Sequence, residues 1–172
     1  GVTAAGLFSL SFVADASATE GYFANAFGVR QTGLAGAGVA DSRDAMALSL
    51  NPAGLVNVGR QFQAGVGMFR PYRDYTATGT ALVAPGHQES DMTFFLMPNM
   101  AYSSPIDANS SWGWALYGNG GMNTTWPNTP NNSPGCGMFG GTPGAVCGGA
   151  AGVDPMQAFL SFGYAKRMGA FS

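Results

Sequence analysis

From Gln61 onward the chain alternates. In "QFQAGVGM", residues 61–68, Phe62, Ala64, Val66 and Met68 fall on one side of an extended chain, and Gln61, Gln63, Gly65 and Gly67 on the other. That period of two predicts a strand. A second strand is expected in "DMTFFLMPNMAY", residues 91–102. Met92, Phe94, Leu96, Met100 and Tyr102 share a face there, with Pro98 as a bulge or kink on it; Thr93, Phe95, Met97, Asn99 and Ala101 make a mixed opposite face. A third is "SWGWALYG", residues 111–118, with Trp112, Trp114 and Leu116 opposite Gly113, Ala115 and Tyr117. A fourth is "PMQAFLSFGYAK", residues 155–166, and a tight turn over 166–169 leads into a fifth beginning at Ala170. Residues 19–60 differ. They are rich in Gly and Ala and do not alternate. Asp41 or Ser42 is placed to cap a short helix over 43–50, and Pro52 pushes Asn51 out of the α region and ends it. Side chains this small suit a segment packed tightly inside something.

The connections alternate too. Residues 103–110 and 166–169 are short and turn-like, 79–90 intermediate, and 122–154 long, polar and rich in Gly, Pro and Asn. Short turns at one end and long loops at the other is the pattern of outer-membrane β-barrels. Tyr72, Tyr75, Tyr102, Trp112, Tyr117 and Tyr164 lie near strand ends and suit interfacial girdles. A soluble antiparallel sandwich alternates as well, and composition bears on the choice. Charged residues are 9% of the chain, against about 25% in soluble domains. Surface so poor in charge is better covered by lipid than by water. No window after the first fourteen residues reaches the roughly 20 apolar positions of a spanning helix, which leaves a closed barrel as the membrane architecture. The net charge of -2 gives no basic surface for nucleic acid. The expected fold is all-β: the N-terminal part of a transmembrane antiparallel β-barrel with a partly helical plug. Four strands and the start of a fifth cannot close a barrel, which takes at least about 8. The chain therefore reads as part of a longer protein, monomeric when full length; the alternative is a small subunit that closes by oligomerisation.

The first residues read as export. Residues 2–14 are apolar and Ala16-Ser17-Ala18 fits the small-x-small rule, so cleavage is expected after Ala18; a short buried helix is the competing reading. The expected organisation is a signal remnant over 1–18, a plug over 19–60 and barrel strands over 61–172. Two cysteines, Cys136 and Cys147, sit in the long loop. An even count in an exported chain suggests a disulfide, with two free thiols as the alternative. No metal site, cofactor or catalytic set is expected: the single histidine, His87, has no Ser/Asp arrangement or second Cys pair near it. Arg70, Arg73 and Asp74 read as a solvated rim cluster, or as a grip on a carboxylate or lipopolysaccharide.

"TEGYFANAFGVRQTGLAGAGVADSRDAMALSLNPAGL" resembles the start of the FadL/TodX outer-membrane transport family. The matching features are the aromatic pair Tyr22-Phe23, the Gly-rich stretch 33–38, the acidic and Ala-rich stretch 41–50, and Asn51-Pro52-Ala53. "FRPYRDYT" and "GVDPMQAFLSFGYAKRMGAFS" fit as well. The resemblance implies a fourteen-stranded barrel in the bacterial outer membrane, plugged by an N-terminal hatch that carries Asn51, Pro52 and Ala53. It implies capture of long-chain fatty acids or other hydrophobic compounds, passage through a pocket near the mature N-terminus, and sideways exit to membrane lipid at a kink in the third strand. Tyr22, Phe23 and Phe27 are the pocket candidates, with ordinary packing as the alternative for each. Gly118, Gly120 and Gly121 are the candidates for the kink, since glycine in a strand marks bulges and bends. An adhesin-like or structural outer-membrane barrel is the competing function.

Overall fold

The computed structural model describes residues 23–139 and 143–169. The expected signal segment, Tyr22 and the strand expected from Ala170 lie outside the described residues.

Four long strands make one antiparallel sheet: β1 (Gln61–Phe69), β4 (Phe95–Pro105), β5 (Ser110–Gly121) and β8 (Met156–Lys166), in the spatial order β1-β4-β5-β8. These are the four strands the alternation predicts, with shifted ends. Four shorter strands pair outside it, β2 (Asp74–Ala77) with β3 (Gly86–Glu89) and β6 (Thr124–Trp126) with β7 (Ala151–Val153). Three or four residues are too few for a period to register. Both short pairs lie in the long connections at one end of the sheet. At the other end β4 turns into β5 within four residues, where Asp107 Oδ1 accepts from the Asn109 N–H at 2.7 Å. That bond holds the Asp107 carboxyl below the usual carboxylate range.

Among the described residues, no helix is long and apolar enough to cross a membrane. The N-terminal segment instead folds into short turns. A one-and-a-half-turn helix, α1 (Gly28–Gly33), precedes two 3-10 helices, Ala45–Ser49 and Pro52–Asn57. The expected helix over 43–50 is thus shorter and tighter, and its cap is Asp44, which accepts from the Met46 N–H at 3.0 Å, rather than Asp41 or Ser42. Pro52 does more than end it. Proline at the first helical position sacrifices no bonded N–H, and Asn51-Pro52 opens the second 3-10 helix at once.

The sheet buries its small, polar face. Ala101, Ala115, Ser103 and Ala165 are buried beneath Met46, Leu48 and Leu55 of the N-terminal segment, with Phe27, Val56 and Val58 at the edge of that core. Gly163 and Gly113 make the approach possible: a Cβ on Gly163 would collide with Leu48 Cδ1, and one on Gly113 would sit 2.5 Å from the Tyr102 carbonyl and 3.4 Å from Leu55 Cδ2. The other face carries Phe62, Val66, Leu96, Leu160, Phe162 and Tyr164, all exposed, Phe162 at 73%. Tyr117 departs from the girdle expectation. Its place in the alternation turns it to the buried face, 6% exposed, while Tyr102, Trp112 and Tyr164 stay on the outward one.

Pro98 makes no bulge. It pairs in register with Val66, and the ladder from β4 to β5 begins one residue later, at Asn99. The missing N–H therefore falls where β5 offers no partner. The irregularity lies in β5, where the register with β8 shifts between Gly118 and Gly120.

Candidate functional site

The segment before α1 reaches the sheet at that bulge. Phe23 bridges Gly120, and the Ala24 N–H donates to the Asn119 carbonyl at 2.7 Å. A bulge leaves one residue unpaired and sharpens the local bend; here the residue is Asn119, whose side chain donates to Gln157 Oε1 at 2.9 Å. Of the three glycines singled out in the sequence, Gly118 and Gly120 flank the bulge and Gly121 ends the strand.

Phe27 then turns onto the sheet. Its ring lies 4.4 Å from that of Tyr117, which meets Phe159 edge-on at 5.9 Å. Between α1 and the sheet opens a cleft of about 240 Å³. Phe27, Val29 and Thr32 line one wall; Met97, Asn99, Tyr117 and Gly118 line the other. Phe27 is thus both packed and lining, and Phe23 sits at the bulge, 42% exposed. Asn99 and Met97 escaped the sequence reading, because an interior with mixed character on one strand gives no sign of what faces it.

Polar contacts within the segment hold α1 in place. Gln31, 2% exposed, donates from Nε2 to the Met46 carbonyl at 2.9 Å and accepts the Phe27 N–H at 3.3 Å on Oε1. Gln61 of β1 accepts the Ala45 N–H at 2.7 Å. Asn51 Nδ2 donates to the Val39 carbonyl at 3.1 Å, and Gly54 backs onto Ser42 so closely that no Cβ would fit. Asn-Pro-Ala-Gly is therefore a tether to Val39, a helix start and a close approach in four residues; Ala53 is half-buried beside them. On the far side of α1 a second, open recess carries Arg30, Arg43 and Asp44. Asp41 pairs with Arg30 and with Arg43, the latter at 2.8 Å. The Arg30 guanidinium holds the Asp41 carboxyl below its ordinary range, whereas burial pushes the Asp44 carboxyl up.

The long loop is closed on itself and tied to the 79–90 connection. Cys136 and Cys147 form a disulfide with Cα atoms 5.2 Å apart. Asn131 Nδ2 donates to the Leu82 and Gly144 carbonyls at 3.0 and 2.9 Å, and Ser133 Oγ to the Val83 carbonyl at 2.7 Å. Tyr75 meets Trp126 edge-on at 5.0 Å. The rim arginines do not pair with Asp74: Arg70 stacks over Tyr72 and Arg73 over Phe95, and Asp74 lies 3.7 Å from His87. Among the described residues no group of carboxylates, cysteines and histidines gathers for a metal ion.

No curated protein and no solved structure matches the chain. The family described as outer membrane protein transport protein (OMPP1/FadL/TodX) matches residues 10–138, three-quarters of the 172 residues and nearly all of the site. The chain belongs to that family, whose members are transporters of hydrophobic compounds in the bacterial outer membrane.

Proposed function

We propose that this protein takes up long-chain fatty acids or other hydrophobic compounds passively, through a hatch-gated route that ends sideways in the bilayer. Residues 19–60 are the hatch, and the strands from Gln61 onward are barrel wall. Cargo caught by the outer loops enters the cleft beneath Phe27 and leaves past the β5 bulge at Gly118 and Gly120. Asn51, Pro52 and Ala53 set the hatch turn that seats Leu55 on the wall.

The observation that carries this reading is the bond from Ala24 to the Asn119 carbonyl, beside the bridge from Phe23 to Gly120. It ties the start of the segment to the one bulge in the β5–β8 ladder, so movement of that start bares the bulge. The energetics favour a lateral exit. Each CH₂ buried is worth about 0.8 kcal/mol, and a cargo that returned to water before reaching the membrane would lose that for its whole length.

Locking the bridge tests the route. Phe23 and Gly120 oppose each other across an antiparallel pair, a spacing that accepts a disulfide. With Phe23→Cys and Gly120→Cys in the full-length protein in vesicles, the oxidised form is expected to take up a fluorescent fatty acid at least tenfold more slowly, and reductant to restore the rate. Wild type treated alike controls for the native disulfide. Unchanged uptake in the oxidised form would refute the route.

A further inference from the structure

The outward face of the sheet is graded toward its short-turn end. Along β8 that face runs Leu160, Phe162, Tyr164, Lys166, all exposed: aliphatic, then phenyl, then phenol, then ammonium. The next strand follows the same order. Leu116, Trp114 and Trp112 of β5 pair with Leu160, Phe162 and Tyr164, and Tyr102 of β4 meets Trp112 edge-on at 5.6 Å. Six residues of strand span about 20 Å. At the tilt usual in a barrel, about 40°, that is roughly 15 Å along the membrane normal, half of a hydrocarbon core about 30 Å thick. With Leu160 near the midplane, Lys166 stands at the headgroups.

The polar tips of this corner are unengaged. Among the described residues no hydrogen bond or ion pair holds the Trp112 indole N–H, the Tyr102 and Tyr164 hydroxyls or the Lys166 ammonium. Charge here is also one-sided. Arg60, Lys166 and Arg167 flank the short turns against one carboxylate, Asp107. Asp107 accepts the Asn109 N–H at 2.7 Å and lies beyond ion-pair distance of Lys166, while Arg167 donates to Asn57 Oδ1 at 2.7 Å rather than to an acid. The long-loop end is the reverse, with Asp74, Glu89, Asp91 and Asp154 around Arg70 and Arg73. Short turns face the periplasm, where the lipids of the outer membrane are phospholipids. A zwitterionic headgroup would bring its own ammonium up to the three cations; an anionic one brings only phosphate, which basic side chains attract.

We propose that this corner binds an anionic phospholipid of the periplasmic leaflet, its phosphate on Lys166 and its ester carbonyls on the donors of Trp112, Tyr102 and Tyr164. The inference rests on the reading of these strands as barrel wall and adds a lipid partner separate from the cargo.

Moving a label within one membrane tests it. The full-length protein is placed in vesicles of phosphatidylethanolamine and phosphatidylglycerol in fixed proportion, with brominated chains on one lipid or the other. The Trp112 signal is the fluorescence of wild type less that of Trp112→Phe. Per lipid, brominated phosphatidylglycerol is expected to associate with Trp112 about fivefold more strongly than brominated phosphatidylethanolamine, the effect of one cation on an anionic lipid. Lys166→Gln is expected to abolish that preference and Lys166→Arg to keep it. Should Trp112→Phe fold poorly, total tryptophan quenching compared between wild type and Lys166→Gln reads the same loss. Equal quenching by the two lipids in wild type, or a preference that survives in Lys166→Gln, would overturn the lipid site and leave the wall reading standing. Quenching of Trp112 by neither lipid would overturn both. Loss of the transport reading alone would show as a lipid preference intact in a protein that takes up no fatty acid.

Discussion

Leu160 and Ser161 are neighbours in β8 and live in opposite surroundings. Leu160 is 60% exposed on a face it shares with Val66, Leu96 and Phe162, while Ser161 turns inward beside Tyr117. Much of the sheet follows: Phe62, Val66, Leu96 and Tyr164 point away from the protein's own packing and Ala101, Ser103, Ala115 and Gly163 toward it, with Met97, Tyr117 and Phe159 as bulky residues on the inward face. A soluble sandwich does the reverse, because water leaves large apolar side chains nowhere to go but inside. With lipid outside, the outward face needs only to be apolar, and the inward face is shaped by what it must hold. Here it holds a segment of short turns, and Gly113, Gly163, Ala101 and Ala115 are small because Leu48 and Leu55 come within contact of the backbone.

The sharpest way to break this comparison is to charge the outward face. Leu160→Arg, at the middle of its strand, is expected to cost about 2–4 kcal/mol in lipid vesicles, the range for arginine on the lipid face near the midplane, read as a fall in unfolding free energy by urea titration. Were that face bathed in water, an exposed substitution would stay within about 0.5 kcal/mol, and the proposed orientation of the sheet would be lost.

Next in size is overfilling the inward face. Gly163→Ala drives a methyl into Leu48, and overpacking of this kind costs about 1–3 kcal/mol. Phe162→Leu, one residue away on the exposed face, is expected to change stability by less than about 0.5 kcal/mol. Similar costs for the two would mean that the faces do not differ in packing.

The smallest effect concerns how the segment holds its shape against that face. Asp44→Ala removes the cap on Met46 and is expected to cost about 1 kcal/mol. Asp44→Asn keeps a capping oxygen and removes the charge. Because burial raises the folded pKa of Asp44 above its ordinary 3.8, ionisation detracts from stability as pH rises through that raised value. The Asn variant should therefore match or exceed wild type at pH 7 and lose its advantage below the ordinary value. Asp41 has the opposite sign. Its pKa is lowered by Arg30, so its contribution is present above the ordinary value and lost as pH falls through the lowered one; Asp41→Asn should be less stable at pH 7 and no different in acid. Urea titrations at both pH values check the pair, and identical pH responses would sink the assignment.

Much of the site was legible piecemeal. Asn51-Pro52 marked a real boundary, yet Pro52 starts a second turn as well as ending the first, since a proline's effect depends on which side of it the chain finds packing. Gly118 and Gly120 stood out by breaking the alternation, and the register shifts between them. Pro98 stood out equally and sits in a regular ladder, because whether a proline disturbs a strand depends on where the neighbouring strand begins. Asn99 gave no local sign at all. Its burial comes from Gly65 across the β1–β4 pair and from α1 above it, both far away in sequence.

What the sequence alone determined was periodic and compositional: four alternating strands, two kinds of connection, and too little charge for a surface in water. Those follow from the geometry of single elements and from solvation, which each residue carries with it. The tertiary structure decided which face is covered, which glycines are contacts rather than hinges, and where the bulge is tied. Each of those depends on the juxtaposition of segments tens of residues apart, and no local pattern encodes the distance between them.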